Sequence, residues 1–139
     1  MRRKAPNHSI KKSILIVGEG VCEQIYFKQL NSLEEFNRLC IDTKTPPHPM
    51  PTDIASRALA LKREGEYDAV WCIFDMDKEN ENPENYKKAL KKANDNNIYV
   101  AKVFPCFELW LLLHFNKSLK PYSNCKNLTK DLKNEIPDY

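Results

Sequence analysis

Apolar residues along the chain fall into two patterns. In Ile14-Leu15-Ile16-Val17, Ala69-Val70-Trp71-Cys72-Ile73-Phe74 and Ile98-Tyr99-Val100-Ala101-Lys102-Val103-Phe104 they run together and are rich in β-branched and aromatic types. Such short runs predict strands buried on both faces. Between the runs, apolar positions recur three or four residues apart: Cys22, Ile25, Tyr26, Leu30 and Leu33; Ile54, Ala58 and Leu61; Tyr86, Ala89, Leu90 and Ala93; Leu128, Leu132 and Ile136. That spacing predicts helices with one buried face. A further strand is predicted over 38–43. Strands and helices alternate, and no two-residue hairpin signal occurs. The expected fold is therefore α/β, a mostly parallel central sheet of about four strands with helices on both faces.

Local chemistry marks the boundaries. Gly18-Glu19-Gly20 ends the first run, and its glycines permit a sharp turn and close backbone approach. The prolines of Thr45-Pro46-Pro47-His48-Pro49-Met50-Pro51 exclude regular hydrogen bonding, so His48 is expected in an exposed loop. Thr52 or Asp53 is expected to cap the next helix, which the Gly65 region ends. Asn82-Pro83 supplies an N-cap and a proline at the first helical position. Pro105 stops the fourth strand, and a helix follows over about 106–115. It is apolar nearly all round, which predicts burial and makes His114 a core histidine by expectation.

Composition narrows the setting. Residues 1–12 read as a flexible basic arm, and 13–139 as a single domain large enough to build one core. The five cysteines are odd in number, scattered and free of any Cys-x-x-Cys pair. This argues against a disulfide framework and a zinc site, and predicts mostly buried thiols in a reducing cytoplasm. No window approaches the roughly 18 continuous apolar residues of a membrane span, and the N-terminus lacks a signal-peptide core. The formal net charge is +3. Its cations cluster, and Arg2, Arg3, Lys4, Lys78, Lys87, Lys88, Lys91 and Lys92 are the candidate contacts to a nucleic-acid backbone. An ordinary solvated surface accounts for the same lysines.

The acids change the picture most. Asp75 and Asp77 end the central apolar run, and on an extended backbone they would point to one side, spaced to share a divalent cation. Glu19 follows the first strand and Glu108 the fourth. In open parallel sheets, ligands bind beyond the carboxyl ends of the strands, where all four acids lie. Their mutual repulsion calls for protons or cations, and hard oxygen donors suit Mg2+ or Mn2+. Asp75, Asp77 and Glu19 are thus the candidate metal ligands. Glu19 and Glu108 are the candidate catalytic acids, for hydrolysis or transfer at phosphate. Each acid also has a plain reading as a solvated loop residue or a helix cap. Neither Gly-x-Gly-x-x-Gly nor a phosphate loop ending in Gly-Lys-Ser/Thr is present, which weakens nucleotide-cofactor readings. Glu79 stands where the Asp-x-Asp motif of aspartyl-phosphate phosphatases continues with threonine or valine, which disfavours that chemistry.

Val17-Gly18-Glu19-Gly20 with Glu23 and Tyr26-Phe27, then Phe74-Asp75-Met76-Asp77, then the segment from Pro105-Cys106-Phe107-Glu108-Leu109-Trp110 to Phe115, together resemble the RloB-like proteins. The resemblance spans nearly the whole chain, and its last motif is the most specific. It implies a Toprim-like three-layer fold related to OLD-type nucleases, and a place in prokaryotic phage-resistance or abortive-infection systems. With the acids above it supports a Mg2+-dependent nuclease or phosphodiester-transfer enzyme of such a system; the candidate partners are DNA or RNA, transfer RNA among them, and a protein of the defence system, and the sequence does not choose between them. By the same resemblance Glu19 matches an acid–base glutamate, Asp75 and Asp77 a magnesium pair, and Glu23 and Glu108 further family acids. Three departures stand out: Cys22 replaces an expected threonine, Val103-Phe104 replaces a Ser-Asn pair, and the pattern continues beyond Tyr139, so a C-terminal truncation is expected. A non-catalytic module of the same fold, binding metal and nucleic acid or a partner protein, is the alternative.

Overall fold

The computed structural model describes residues 12–33, 39–42, 49–78, 81–117 and 120–139. Arg2, Arg3 and Lys4 of the basic arm, His48, and the side chains of Cys40 and Lys78 lie outside the described residues. The chain runs β1 (Ile14–Val17), α1 (Val21–Asn31), β2 (Leu39–Asp42), α2 (Pro51–Glu64), β3 (Ala69–Asp75), a 3-10 turn (Met76–Lys78), α3 (Pro83–Asp95), β4 (Tyr99–Val103), α4 (Glu108–Leu113) and α5 (Cys125–Glu135). The strands form one all-parallel sheet in the order β2-β1-β3-β4. From β1 the chain moves outward to β2, then returns past β1 to β3. The order therefore reverses between β1 and β3, and a crevice opens there at their carboxyl ends.

The period of two along each strand distributes its side chains between two cores. Leu15, Val17, Val70, Cys72 and Phe74 face α2 and α3, where they meet Ile54, Ala55, Ala58, Tyr86, Ala89 and Ala93. Ile16 and Ile73 face the other way and pack with Phe107, Tyr26, Phe27, Val103 and Leu111. The sheet thus has α2 and α3 on one face and α1 and α4 on the other, as the alternating pattern requires. A smaller cluster joins Leu112 of α4 to Leu128 and Leu132 of α5.

Three local expectations need correction. Helix α2 starts two or three residues earlier than expected, with Met50 as N-cap and Pro51 in its first turn, because proline's fixed φ and missing N–H suit that position. Asp53 instead sits in the first turn, where its carboxylate accepts from the Met50 N–H at 2.8 Å. Helix α4 has only six residues and is not enclosed: Trp110 is 46% and Leu113 37% exposed. It covers the sheet with one side and α5 with another, and its Trp110 and Leu113 side chains face a groove shared with Tyr26 and Leu30 of α1. His114 is likewise exposed rather than in the core, with Nδ1 2.8 Å from the Trp110 carbonyl. The remaining cap matches expectation, since the Asn82 side chain accepts from the Asn85 N–H at 3.1 Å.

Candidate functional site

Each acid reaches the crevice by a different local device. Glu19 lies in the bend between β1 and α1. Glu23 lies in the first turn of α1 and is only 4% exposed. Its carboxylate accepts from the backbone N–H groups of Glu19 and of Glu23 itself, so the helix start holds it inward. Gly18 and Gly20 keep negative φ, and a Cβ at either would come to 3.4 Å from the Glu23 side chain. Neither glycine serves a left-handed turn, and a Cβ at either would make ordinary van der Waals contact with Glu23.

Asp75 ends β3. A loop from β4 crosses over it: the Phe107 N–H donates to Asp75 Oδ1 at 3.0 Å, and the Asp77 N–H donates to the Pro105 carbonyl at 3.0 Å. The Phe104–Pro105 peptide in this loop is cis. The same crossing brings Glu108, in the first turn of α4, to the cleft. Glu19, Glu23, Asp75 and Glu108 together line a cleft of about 290 Å³ whose wall also includes Gly20, Val21, Cys22 and Pro49.

Electrostatics follow from this crowding. Burial, and then the charges of Glu19, Glu23 and Glu108, push the Asp75 carboxyl up to about 8. Burial and the charges of Glu108 and Glu19 also raise Glu23. One carboxylate oxygen of Glu19 is shut off from solvent. Cys22, at the position where the sequence departs from threonine, is pushed up to about 11 by burial, with the neighbouring acids adding to the effect. This is a site with an excess of negative charge and hard oxygen donors.

Asp77 is placed differently from the sequence expectation. The strand ends at Asp75 and the backbone tightens into a 3-10 turn, so the two aspartates are not alternate residues of one extended segment. Asp77 is not among the residues that line the cleft. The α3 lysines are engaged locally: Lys87 pairs with Glu84 at 3.6 Å, Lys91 with Asp95, and Lys92 donates to Ser56 of α2 at 2.8 Å. Lys88 is exposed on the same helix.

Two features gave no signal in the sequence. Cys106 and Cys125 form a disulfide, contrary to the expectation of free thiols. Their positions become neighbours only when α5 packs on α4, which spacing along the chain does not encode; Cys22 and Cys72 remain free. Tyr139 donates its hydroxyl to Glu108 Oε1 at 2.7 Å and also meets Cys22, and burial with these two partners raises its phenol well above the usual range. Beside the acidic cleft, between α1 and α4, lies an apolar groove of about 360 Å³ walled by residues such as Tyr26, Leu30 and Trp110. Its lining includes no carboxylate or cation.

Among comparisons with known proteins, the sequence model of the RloB-like proteins matches residues 14–139, nearly the whole chain. Searches of curated proteins and of solved structures returned no match. Among the described residues, no helix is long and apolar enough to cross a membrane.

Proposed function

The chain belongs to the RloB-like family, and we infer that its acidic cleft serves a Mg2+- or Mn2+-dependent nuclease or phosphodiester-transfer reaction. The setting proposed is the cytoplasm of a prokaryote, in phage defence of the abortive-infection kind, on a Toprim-like fold. The observation that carries this reading is the convergence of Glu19, Glu23, Asp75 and Glu108 where the strand order reverses. Four carboxylates in one partly buried cleft repel strongly, and a divalent cation with oxygen ligands relieves that repulsion.

The residues divide the work by position. Asp75, fixed through Phe107, and Glu19 offer the oxygens that would hold the ion. A bound divalent cation supplies neutralisation of charge on the phosphodiester and polarises it for attack. Glu19 takes the proton of the attacking hydroxyl or water as general base. Glu108 is held by Tyr139 and orients the attacking group. Glu23 supports the negative field from beneath. Asp77, on the 3-10 turn, is assigned as a further ligand on the family resemblance alone.

The test is a cleavage assay on DNA, RNA and transfer RNA, with Mg2+ or Mn2+ against chelator. Cleavage that requires the ion, and that falls by about 10²–10⁴-fold in Glu19→Gln, supports the reading. Cleavage indifferent to chelator, or none with any substrate, contradicts it. Binding without cleavage would favour the non-catalytic module. If the basic arm and the α3 lysines meet phosphates, the log–log dependence of affinity on salt should have a slope of several units. A flat salt dependence would assign these lysines to the solvated surface that their local pairings already suit.

A further inference from the structure

The Cys106–Cys125 pair lies against Glu108, and one ligand atom from each of these three residues lies within 4.8 Å of the others. The geometry points to a second metal site, of a different class from the acidic cleft: in the dithiol state, Cys106, Cys125 and Glu108 bind Zn2+.

Three features of the fold support this. The Cα atoms of the two cysteines are 5.6 Å apart, so two thiolates can each reach one ion at about 2.3 Å. Glu108 is already aimed, since Tyr139 holds Oε1 at 2.7 Å while Oε2 lies 3.7 Å from Cys125 Sγ. A hydrogen bond from outside that fixes a ligand's orientation is what metal sites use to hold their donors. Cys125 is also the first residue of the eleven-residue helix α5, where a thiolate gains from the positive end of the helix dipole. Two sulfurs and one carboxylate leave a fourth tetrahedral position for water, and soft sulfur donors select zinc over magnesium.

The chemistry balances with a thiol reductant. Two thiols give two electrons and two protons to the Cys106–Cys125 bond, which breaks to two cysteine thiols while the reductant becomes a disulfide. Zinc then displaces the two thiol protons to solvent and forms two Zn–S bonds and one bond to Glu108 Oε2. In the reverse direction a small-molecule disulfide accepts two electrons from the two thiolates and two protons from solvent, becoming two thiols, while the Cys106–Cys125 bond re-forms and the ion is released. Glu108 also lines the acidic cleft. In the one consequence that rests on the nuclease reading, zinc in the reduced protein withdraws that carboxylate from the cleft and slows cleavage.

Co2+ is the probe, titrated into the full chain reduced with a phosphine and into the chain oxidised with a diazenedicarboxamide. In the reduced protein one equivalent should bind with thiolate-to-cobalt charge-transfer absorption, and the oxidised protein, whose acidic cleft can hold Co2+ through oxygens alone, should show no such absorption. Cys125→Ser should lose the band, and Cys22→Ser should keep it. Glu108→Gln should weaken zinc, measured by competition with a chromophoric chelator, by about tenfold or more. Absence of the band in reduced, folded protein, its persistence after oxidation or in Cys125→Ser, or unchanged zinc affinity in Glu108→Gln would each overturn the site. If Cys125→Ser does not fold, the oxidised wild-type chain gives the same comparison without a substitution. Mn2+ binding to oxidised protein, compared with Asp75→Asn, reports on the acidic cleft separately, so either reading fails without the other.

Discussion

Asp75→Asn is expected to stabilise the metal-free protein at alkaline pH and to remove its response to manganese. Asp75 is surrounded by Glu19, Glu23 and Glu108, and its carboxyl is raised from 3.8 to about 8. Because the folded state holds this proton more tightly than the unfolded chain, stability is fully present below about pH 4 and falls as pH rises to about 8. Each tenfold in proton affinity corresponds to about 1.4 kcal/mol, so the loss is on the order of 5 kcal/mol if the neighbouring acids do not relax. Asparagine removes the charge, and its Oδ1 still accepts from Phe107. After relaxation we expect Asp75→Asn to gain about 2–4 kcal/mol at pH 9, seen as a rise of about 5–15 °C in Tm, and little at pH 4. Manganese at about 100 times its Kd should stabilise wild type by about 2.7 kcal/mol and the variant hardly at all. Thermal melts at the two pH values, with chelator and with Mn2+, check both statements; parallel pH profiles for the two proteins would refute the first.

Phe74→Ala should have the largest effect on folding. Phe74 is fully buried between the sheet and the α2–α3 layer, its ring edge-on to Tyr86 at 5.8 Å between centroids. Removing a buried phenyl ring costs about 3–5 kcal/mol, including the cavity left behind. Its effect should reach the next residue, Asp75, by loosening the strand end that aims it. Phe115, 52% exposed and outside the loop that crosses Asp75, is the control, and Phe115→Ala should cost about 1 kcal/mol or less. Urea denaturation of the two variants measures the difference, and a cost below about 1 kcal/mol for Phe74→Ala would contradict the packing described.

The sheet was legible because its signal is local. Continuous apolar runs at Ile14–Val17 and Ala69–Asp75 appear in the sequence as they appear in the fold, and alternation sends Val17 and Ile16 to opposite cores. The position of Glu19 and Asp75 at strand ends was legible for the same reason, and that of Glu108 in the first turn of the helix after β4 was legible from the helix pattern. The direction expected for Asp77 was conditional on an extended backbone, and that condition is not met, because β3 gives way to a 3-10 turn at Met76. The enclosure expected of α4 failed because composition shows how much of a helix is apolar, not which sides find a neighbour. Contacts that depend on tertiary placement left no mark: the Cys106–Cys125 bond needs α5 on α4, and the Tyr139 hydrogen bond to Glu108 spans 31 positions. The depth of Glu23 was also hidden, since a glutamate in a first helical turn ordinarily caps from the solvent side.

The central claim is that the acids of this cleft hold a divalent cation together. Calorimetric titration of Mn2+ into the oxidised wild-type chain near pH 8, beside Asp75→Asn and Glu19→Gln, tests it most directly. One ion per chain is expected for wild type, with affinity weakened by about 100-fold or more in each variant, equivalent to roughly 2.7 kcal/mol. Unchanged affinity in both variants, or no binding by the wild-type chain, would contradict the claim.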